Sequence, residues 1–224
     1  CEIIIHLYEQ FGMEHTVRLL DGVFAFILLD MEKSIMWIGR DPYGVRPMYQ
    51  FESLYDIRFT GFASEVKQLS PFLNTFSGKI VPFPPGHIVK YKYNLYNHAY
   101  WEKETDITYH SPGFLTMTSD NYYPQIKHYL QAAVKKRVDN TDRPIACLLS
   151  GGLDSSLIAS IIVNDCGYSK QLETYSIGLE GGEDLKYAKM VAYFLGTKHT
   201  EIVVTEKEFL DAIPMVIKQI ESYD

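Results

Sequence analysis

One short segment, residues 150–156, has the residue types of a phosphate-binding loop. It contains two consecutive glycines, three serines and one carboxylate, Asp154. Glycines let the backbone turn tightly and approach a ligand without a Cβ in the way. Serine hydroxyls and the free N–H groups of a helix start bind phosphate oxygens. Asp154 would repel a phosphate unless Mg²⁺ lay between them, so the pattern predicts a magnesium–phosphate site with Ser150, Ser155 and Ser156 as hydroxyl donors.

The spacing excludes two other nucleotide-binding loops. No Lys follows the glycines, as a Walker A loop requires, and no third glycine stands at the dinucleotide-binding position. The remaining alternative is a simple strand–turn–helix corner capped by Ser and Asp. The context favours the phosphate site, because a continuous apolar run over residues 145–149 precedes the loop and an apolar-faced helix follows it.

The elements around this loop alternate between strands and helices. Helices are predicted where apolar residues recur every three or four positions, and strands at short apolar runs. The helices are at 126–138, 157–162, 185–195 and 205–220, and the strands at 145–149, 172–179 and 201–204. Thr205 and Glu208 have the spacing of a capping box. This alternation is typical of a parallel, doubly wound α/β sheet, which binds ligands at the carboxyl ends of its strands.

The first hundred residues follow a different pattern. A helix is predicted over residues 4–11, ended by Gly12. Short β-branched and aromatic runs then predict an antiparallel, layered α+β arrangement, with strands at 23–30, 34–40, 47–51, 57–62 and 87–93. Residues 105–119 are polar and irregular, which predicts a linker. We therefore expect two domains, residues 1–104 and residues 120–224.

Composition excludes several classes of function. The chain has 224 residues, 46% hydrophobic and 22% charged, which is typical of a globular protein. A net charge of −7 argues against nucleic-acid binding through a basic surface. The longest apolar run is far shorter than a membrane span and no signal peptide opens the chain, so we expect a cytoplasmic protein without a membrane partner.

The loop at residues 150–155 resembles the SGGxDS loop of the ATP-pyrophosphatase (PP-loop) family. Residues 24–26, 40–49, 63–67 and 84–87 resemble the glutaminase domain of class II amidotransferases. A glutaminase domain followed by a PP-loop domain is the order of the glutamine-dependent asparagine synthetase family. The resemblance implies a truncated Ntn-type antiparallel layered glutaminase domain in the first half. It implies the front of a PP-loop synthetase domain in the second half.

The resemblance also implies a reaction and its ligands. In this family of carbon–nitrogen ligases, ATP adenylates the β-carboxylate of aspartate, and ammonia from glutamine then displaces AMP to give asparagine. The implied ligands are therefore ATP, Mg²⁺, aspartate and glutamine. The resemblance is also compatible with a homodimer. The implied cofactor-binding residues are Leu148, Ser150, Gly151, Gly152, Asp154, Ser155, Ser156 and Ile177. Among these, Asp154 would bind Mg²⁺, Leu148 and Ile177 would contact the adenosine, and the loop would hold the pyrophosphate.

Cys1 is not expected to be the glutaminase nucleophile. The family's nucleophile is an N-terminal cysteine whose α-amino group is the base, and Gly-Ile and a strand follow it. Here Glu2 and a helical pattern follow Cys1, as in a helix further inside that domain. The nucleophile is therefore expected upstream, and the aspartate site beyond residues 221–224. We expect neither glutaminase nor synthetase activity from these residues alone.

Some alternatives stay open, and one is rejected. Another PP-loop amidotransferase, such as a β-lactam-forming synthetase, would differ in its acceptor pocket, and a non-catalytic nucleotide-binding fragment would need only the loop. A purine-pathway amidotransferase is rejected because it would carry a phosphoribosyl-binding domain instead of residues 150–155. Arg40 and Asp41 receive no catalytic role. We expect them to form a buried ion pair or to shape the domain interface.

Overall fold

The computed structural model of the chain describes residues 2–55, 60–95, 100–110, 122–168 and 172–221. The chain divides into two compact units near residue 115. The first contains two antiparallel sheets and the second a parallel sheet. The expected combination of antiparallel and parallel α/β architecture is therefore confirmed at this level. Among the described residues, no helix has both the length and the hydropathy needed to cross a membrane.

The described part of the first unit contains three helices and seven strands. The helices are α1 (Ile3–Phe11), α2 (Met13–Leu19) and α3 (Val66–Thr75). The strands are β1 (Ala25–Asp30), β2 (Ile35–Arg40), β3 (Tyr49–Ser53), β4 (Thr60–Ala63), β5 (Gly78–Pro82), β6 (His87–Asn94) and β7 (Tyr100–Thr108). The strand orders are β1-β2-β6-β7 and β4-β3-β5.

The larger sheet of this unit has an apolar core on each face. Successive residues of a strand point to opposite faces, so Trp37 packs with Met13 and Val17 of α2, whereas Ile38 packs with Met48. The second sheet therefore lies against the face opposite α2. The first helix and the β1–β2 hairpin occur as predicted, and Gly12 ends α1 with a φ of 76°.

Several elements of the first unit were not predicted. α2 follows α1 after a single residue, Gly12, which in the sequence indicates the end of the only helix predicted in this region. α3 contains Pro71, which weakens a helical prediction although the helix forms. β5 is a further unpredicted strand. Part of the predicted strand over residues 57–62 lies outside the described residues, and β4 accounts for its end.

The predicted linker over residues 105–119 begins too early. β7 continues to Thr108 and pairs with β6 throughout that stretch. β7 is the edge of its sheet, and edge strands carry exposed charges that make their sequence look like a loop. Residues 111–119 lie outside the described residues, so the end of the linker stays a prediction.

The described part of the second unit contains one parallel sheet and four helices. The strands are β8 (Ala146–Leu148), β9 (Glu173–Leu179) and β10 (Lys198–Val204). The helices are α4 (Tyr122–Asp139), α5 (Leu153–Asp165), α6 (Glu183–Leu195) and α7 (Glu206–Ile220). The strand order is β8-β9-β10, and α5 and α6 form the two crossovers. Thr205 and Glu208 form the expected capping box at the start of α7.

The core of this unit lies on one face of the sheet. Leu149, Ala159 and Ala188 are almost fully buried there, among side chains from α4, α5 and α6. On the opposite face, Leu148 is 84% exposed and Ile177 is 65% exposed. The core of the described residues thus shows helices packed on one face of the sheet, whereas a doubly wound sheet carries helices on both faces.

Candidate phosphate-binding site

The predicted phosphate loop lies at the carboxyl end of β8 and leads directly into α5. Gly152 is the N-cap of α5 in an extended conformation, and no side chain caps the helix. The first N–H groups of a helix have no partner within the helix, and its dipole places partial positive charge there. The start of α5 therefore leaves backbone N–H donors that an anion could accept from.

Three serine hydroxyls form hydrogen bonds within this loop. The Ser150 and Ser155 hydroxyl oxygens lie 3.0 Å apart. The Gly152 N–H donates to the Ser150 hydroxyl over 3.3 Å, and the Ser156 hydroxyl donates to the Gly152 carbonyl over 2.7 Å. The Ser155 hydroxyl also donates to the Gly152 carbonyl, over the longer distance of 3.3 Å. A phosphate that entered the loop would replace the contact between Ser150 and Ser155 and this longer bond, whereas the shorter bond of Ser156 would hold the loop backbone.

Gly151 is required by two features of the site. Its φ is +80°, a conformation that residues with a Cβ rarely adopt. A Cβ built on Gly151 would also lie 2.5 Å from the backbone nitrogen of Ala188 in α6. Gly152 has no such restriction, because its φ is −70° and a Cβ there would meet only the Ser150 hydroxyl at 3.4 Å.

Asp154 lies in the first turn of α5 with an exposed side chain. No hydrogen bond or ion pair engages its carboxylate within the described part of the chain, and no three His, Cys, Asp or Glu side chains there could hold a metal together. Mg²⁺ commonly takes one or two protein carboxylates and completes its shell with water and substrate phosphates. The Asp154 carboxylate, next to the loop at residues 150–153, fits this coordination preference of Mg²⁺.

Leu148 and Ile177 occupy the same face of adjacent strands. Leu148 is paired with Tyr175 in the parallel register. Ile177 lies two residues after Tyr175 on the same strand, and alternate residues of a strand point to the same face. Both side chains are exposed at the open face of the sheet, close to where β8 gives way to the loop. The predicted adenosine-contacting residues are thus brought together as a small apolar surface beside the phosphate loop.

In the first unit, Arg40 and Asp41 build a loop and not an ion pair. The Arg40 guanidinium donates to the carbonyls of Gly44, Arg46 and Phe83. The Asp41 carboxylate is 1% exposed and accepts from the backbone N–H groups of Tyr43, Val45 and Arg46. Burial opposes ionisation of Asp41, but these N–H donors outweigh it and lower its pKa below the usual value.

One feature of the site was not predicted from sequence, namely the support of the loop by α6. Ala188 appears in the sequence only as a member of an apolar helical pattern. Its contact with Gly151 joins two segments that are 37 residues apart in the chain. Cys1, which is not expected to be the glutaminase nucleophile, lies outside the described residues.

Comparison with known proteins agrees with this arrangement. Residues 1–80 match the family model of the glutamine amidotransferase domain, and residues 125–223 match that of asparagine synthase. The whole chain is 37% identical to the glutamine-hydrolyzing asparagine synthetase of Homo sapiens and 38% identical to that of Rattus norvegicus, and it covers 42% of each. The corresponding protein of Gallus gallus is 36% identical.

A solved structure of an NH3-dependent NAD synthetase from Campylobacter jejuni, in complex with the nitrate ion, is also similar. It is 22% identical, with a TM-score of 0.32, and the match covers 46% of this chain and 43% of that chain. A TM-score of this size does not establish a common fold.

The chain is thus similar in its first half to glutamine amidotransferase domains and in its second half to asparagine synthase domains. The curated relatives that it resembles, at 36–38% identity, are glutamine-hydrolysing asparagine synthetases. The chain spans about two fifths of the length of the curated relatives that it matches, 42% in each case.

Proposed function

We propose that this protein takes part in asparagine biosynthesis, as an ATP-dependent carbon–nitrogen ligase that uses glutamine as its nitrogen source. The aspartate β-carboxylate would attack the α-phosphate of ATP, giving β-aspartyl-AMP and pyrophosphate. Ammonia released from glutamine would then displace AMP and form the amide. The observation that carries this proposal is the serine-lined loop at the uncapped start of α5, within a chain that has both family domains.

The residues of the loop would act on the leaving pyrophosphate. Backbone N–H groups at the start of α5 and the hydroxyls of Ser150 and Ser155 would donate to its oxygens, where negative charge builds up as the bond breaks. Asp154 would hold Mg²⁺, which neutralises phosphate charge when it is bound. Leu148 and Ile177 would contact the adenosine at the open face of the sheet.

The finer architecture is part of the same proposal. The first unit would be an Ntn-type glutaminase domain, which is supported by two antiparallel sheets packed against each other through Met48, Phe62 and Tyr91. The second would be a PP-loop domain with a doubly wound sheet, which is supported by its parallel strands and one helical layer. We assign no described residue as the glutaminase nucleophile.

Product analysis tests this function. The full-length protein is incubated with ATP, Mg²⁺ and aspartate, with either glutamine or ammonium as nitrogen source, and AMP, pyrophosphate and asparagine are quantified. We expect the three products in equal amounts. Formation of ADP and phosphate would contradict the proposal, and pyrophosphate release that requires a different acceptor would favour a β-lactam-forming or related synthetase.

A matched pair of variants ties the reaction to the loop. Asp154→Asn removes the proposed metal ligand, whereas Asp165→Asn makes the same change at the other end of α5, where the carboxylate accepts from Gln131. Pyrophosphate release should fall about 100-fold in the first variant and change little in the second. Equal rates in the two variants would remove Asp154 from the proposal.

A further inference from the structure

The phosphate loop rests directly on the backbone of α6. A Cβ at Gly151 would lie 2.5 Å from the Ala188 nitrogen and 2.6 Å from both the carbonyl carbon and the Cβ of Tyr187. Non-bonded carbons do not approach so closely, so the loop and the helix are already in contact without that atom. The contact lies in the second turn of α6, which begins at the same edge of the sheet as α5.

The contact with α6 restrains the loop from outside. The described hydrogen bonds of its serine side chains all stay within the loop, between Ser150, Gly152, Ser155 and Ser156. These bonds fix the shape of the loop but not its place above the sheet. Packing of Gly151 on α6 supplies a positional restraint, because the helix backbone is rigid.

α6 is itself fixed against the sheet. Ala188 is 0% exposed and Ala192 is 2% exposed, and both pack into the core that contains Leu149, the residue directly before the loop. A Cβ at Gly178 would lie 2.9 Å from the Leu185 side chain, so β9 also approaches α6 closely. A side chain larger than alanine at position 188 would therefore displace the helix backbone beneath Gly151.

We propose that α6 fixes the position of the phosphate loop at residues 150–156. Ala188 would be a positioning residue for ATP, because its backbone contacts Gly151. This inference rests on the proposed function, because it assigns a support to the same nucleotide site. Donors that must meet three phosphate oxygens at once lose strength quickly when their angles change. ATP affinity should therefore depend on the volume of residue 188, although that residue does not touch the nucleotide.

Two buried alanines on one side of α6 provide the test. Ala188→Val and Ala192→Val each add the same atoms to the same core, but Ala192 lies one turn beyond the contact with Gly151. The dissociation constant of Mg-ATP is measured for the full-length protein and both variants, together with Tm. Both variants should melt at a lower temperature. ATP binding should weaken about tenfold in Ala188→Val and stay within about twofold in Ala192→Val.

The affinities of the two valine variants decide whether α6 positions the loop. Equal loss of affinity in both variants, or unchanged affinity in Ala188→Val, would overturn the role of α6 while leaving the proposed function intact. Failure of the wild-type protein to bind Mg-ATP would overturn both. If the valine variants do not fold, Ala188→Ser and Ala192→Ser are compared by hydrogen exchange at residues 150–156. Faster exchange there only in Ala188→Ser supports the inference, and equal exchange contradicts it.

Discussion

The hydroxyl oxygens of Ser150 and Ser155 lie 3.0 Å apart at the start of α5. The Ser155 hydroxyl also receives the Ser150 N–H at 3.3 Å, so the two ends of the loop are joined twice. A phosphate that enters the loop would replace the contact between the hydroxyls and accept from both. The loop is therefore shaped by the same groups that would bind its ligand, which reduces the reorganisation that binding requires.

Removal of one of these hydroxyls should weaken ATP binding. Ser155→Ala removes a donor to a charged phosphate, and such a bond is worth about 1.5–3 kcal/mol, or roughly 10- to 150-fold in affinity. Ser160→Ala is the matched control, because Ser160 lies on the same helix and its hydroxyl accepts from Asn164. Titration of both variants with Mg-ATP checks the prediction. Equal affinities would place the phosphate elsewhere.

Gly151→Ala should destabilise the second unit and abolish ATP binding. Alanine at a positive φ costs about 1 kcal/mol, and the new Cβ would overlap the α6 backbone. Gly167 has a similar φ of +78° with open space around its Cβ position, so Gly167→Ala isolates the backbone cost. Urea unfolding should show a loss about 1–3 kcal/mol larger at position 151 than at 167. Similar losses would argue against the contact with α6.

Asp41→Asn should destabilise the first unit by about 2–3 kcal/mol. The carboxylate accepts three backbone N–H groups through its two oxygens. The amide has one acceptor oxygen and turns its NH₂ group toward at least one buried donor. Thermal unfolding of this variant is compared with that of Asp142→Asn, the same change at an exposed site. A loss no larger than in the control would show that the donors find other partners.

Acid should remove a contribution that Asp30 makes to stability. Its pKa falls from 3.8 to about 2, because the Lys33 N–H, the Tyr8 hydroxyl and the Lys33 ammonium all donate to the carboxylate. A pKa that is lower in the folded state stabilises the fold above the unfolded value, and this contribution is lost as the pH falls through the folded value.

The loss should therefore occur between pH 3.8 and about pH 2. Over that window, the unfolding free energy of the wild type should fall more steeply than that of Asp30→Asn, which carries no titrating group. Urea unfolding at several pH values measures both slopes. Parallel slopes would contradict the assignment.

The sequence was sufficient for features that depend on local pattern. The Gly-Gly pair between an apolar run and a helical pattern predicted the strand–turn–helix corner at residues 150–156, and the spacing of Thr205 and Glu208 predicted a helix start. Both rest on interactions between residues only a few positions apart. Period-two and helical patterns likewise identified most strands and helices, because each element buries one face.

Features that depend on distant contacts could not be predicted. The packing of Gly151 on α6 is invisible in the loop itself, since a glycine there is already explained by the turn. Arg40 and Asp41 look like an ion pair in sequence, yet each binds backbone groups instead. β7 carries the charges of an edge strand, which moved the predicted linker four residues into it, to residues 105–108.

The binding of ATP by wild type and Asp154→Ala, each with and without Mg²⁺, tests the central claim most directly. Isothermal titration calorimetry on the full-length protein gives all four dissociation constants. We predict that Mg²⁺ strengthens ATP binding to the wild type and has much less effect on Asp154→Ala, since the metal would link that carboxylate to the phosphates. An equal Mg²⁺ effect in both proteins, or no ATP binding by the wild type, would contradict the account.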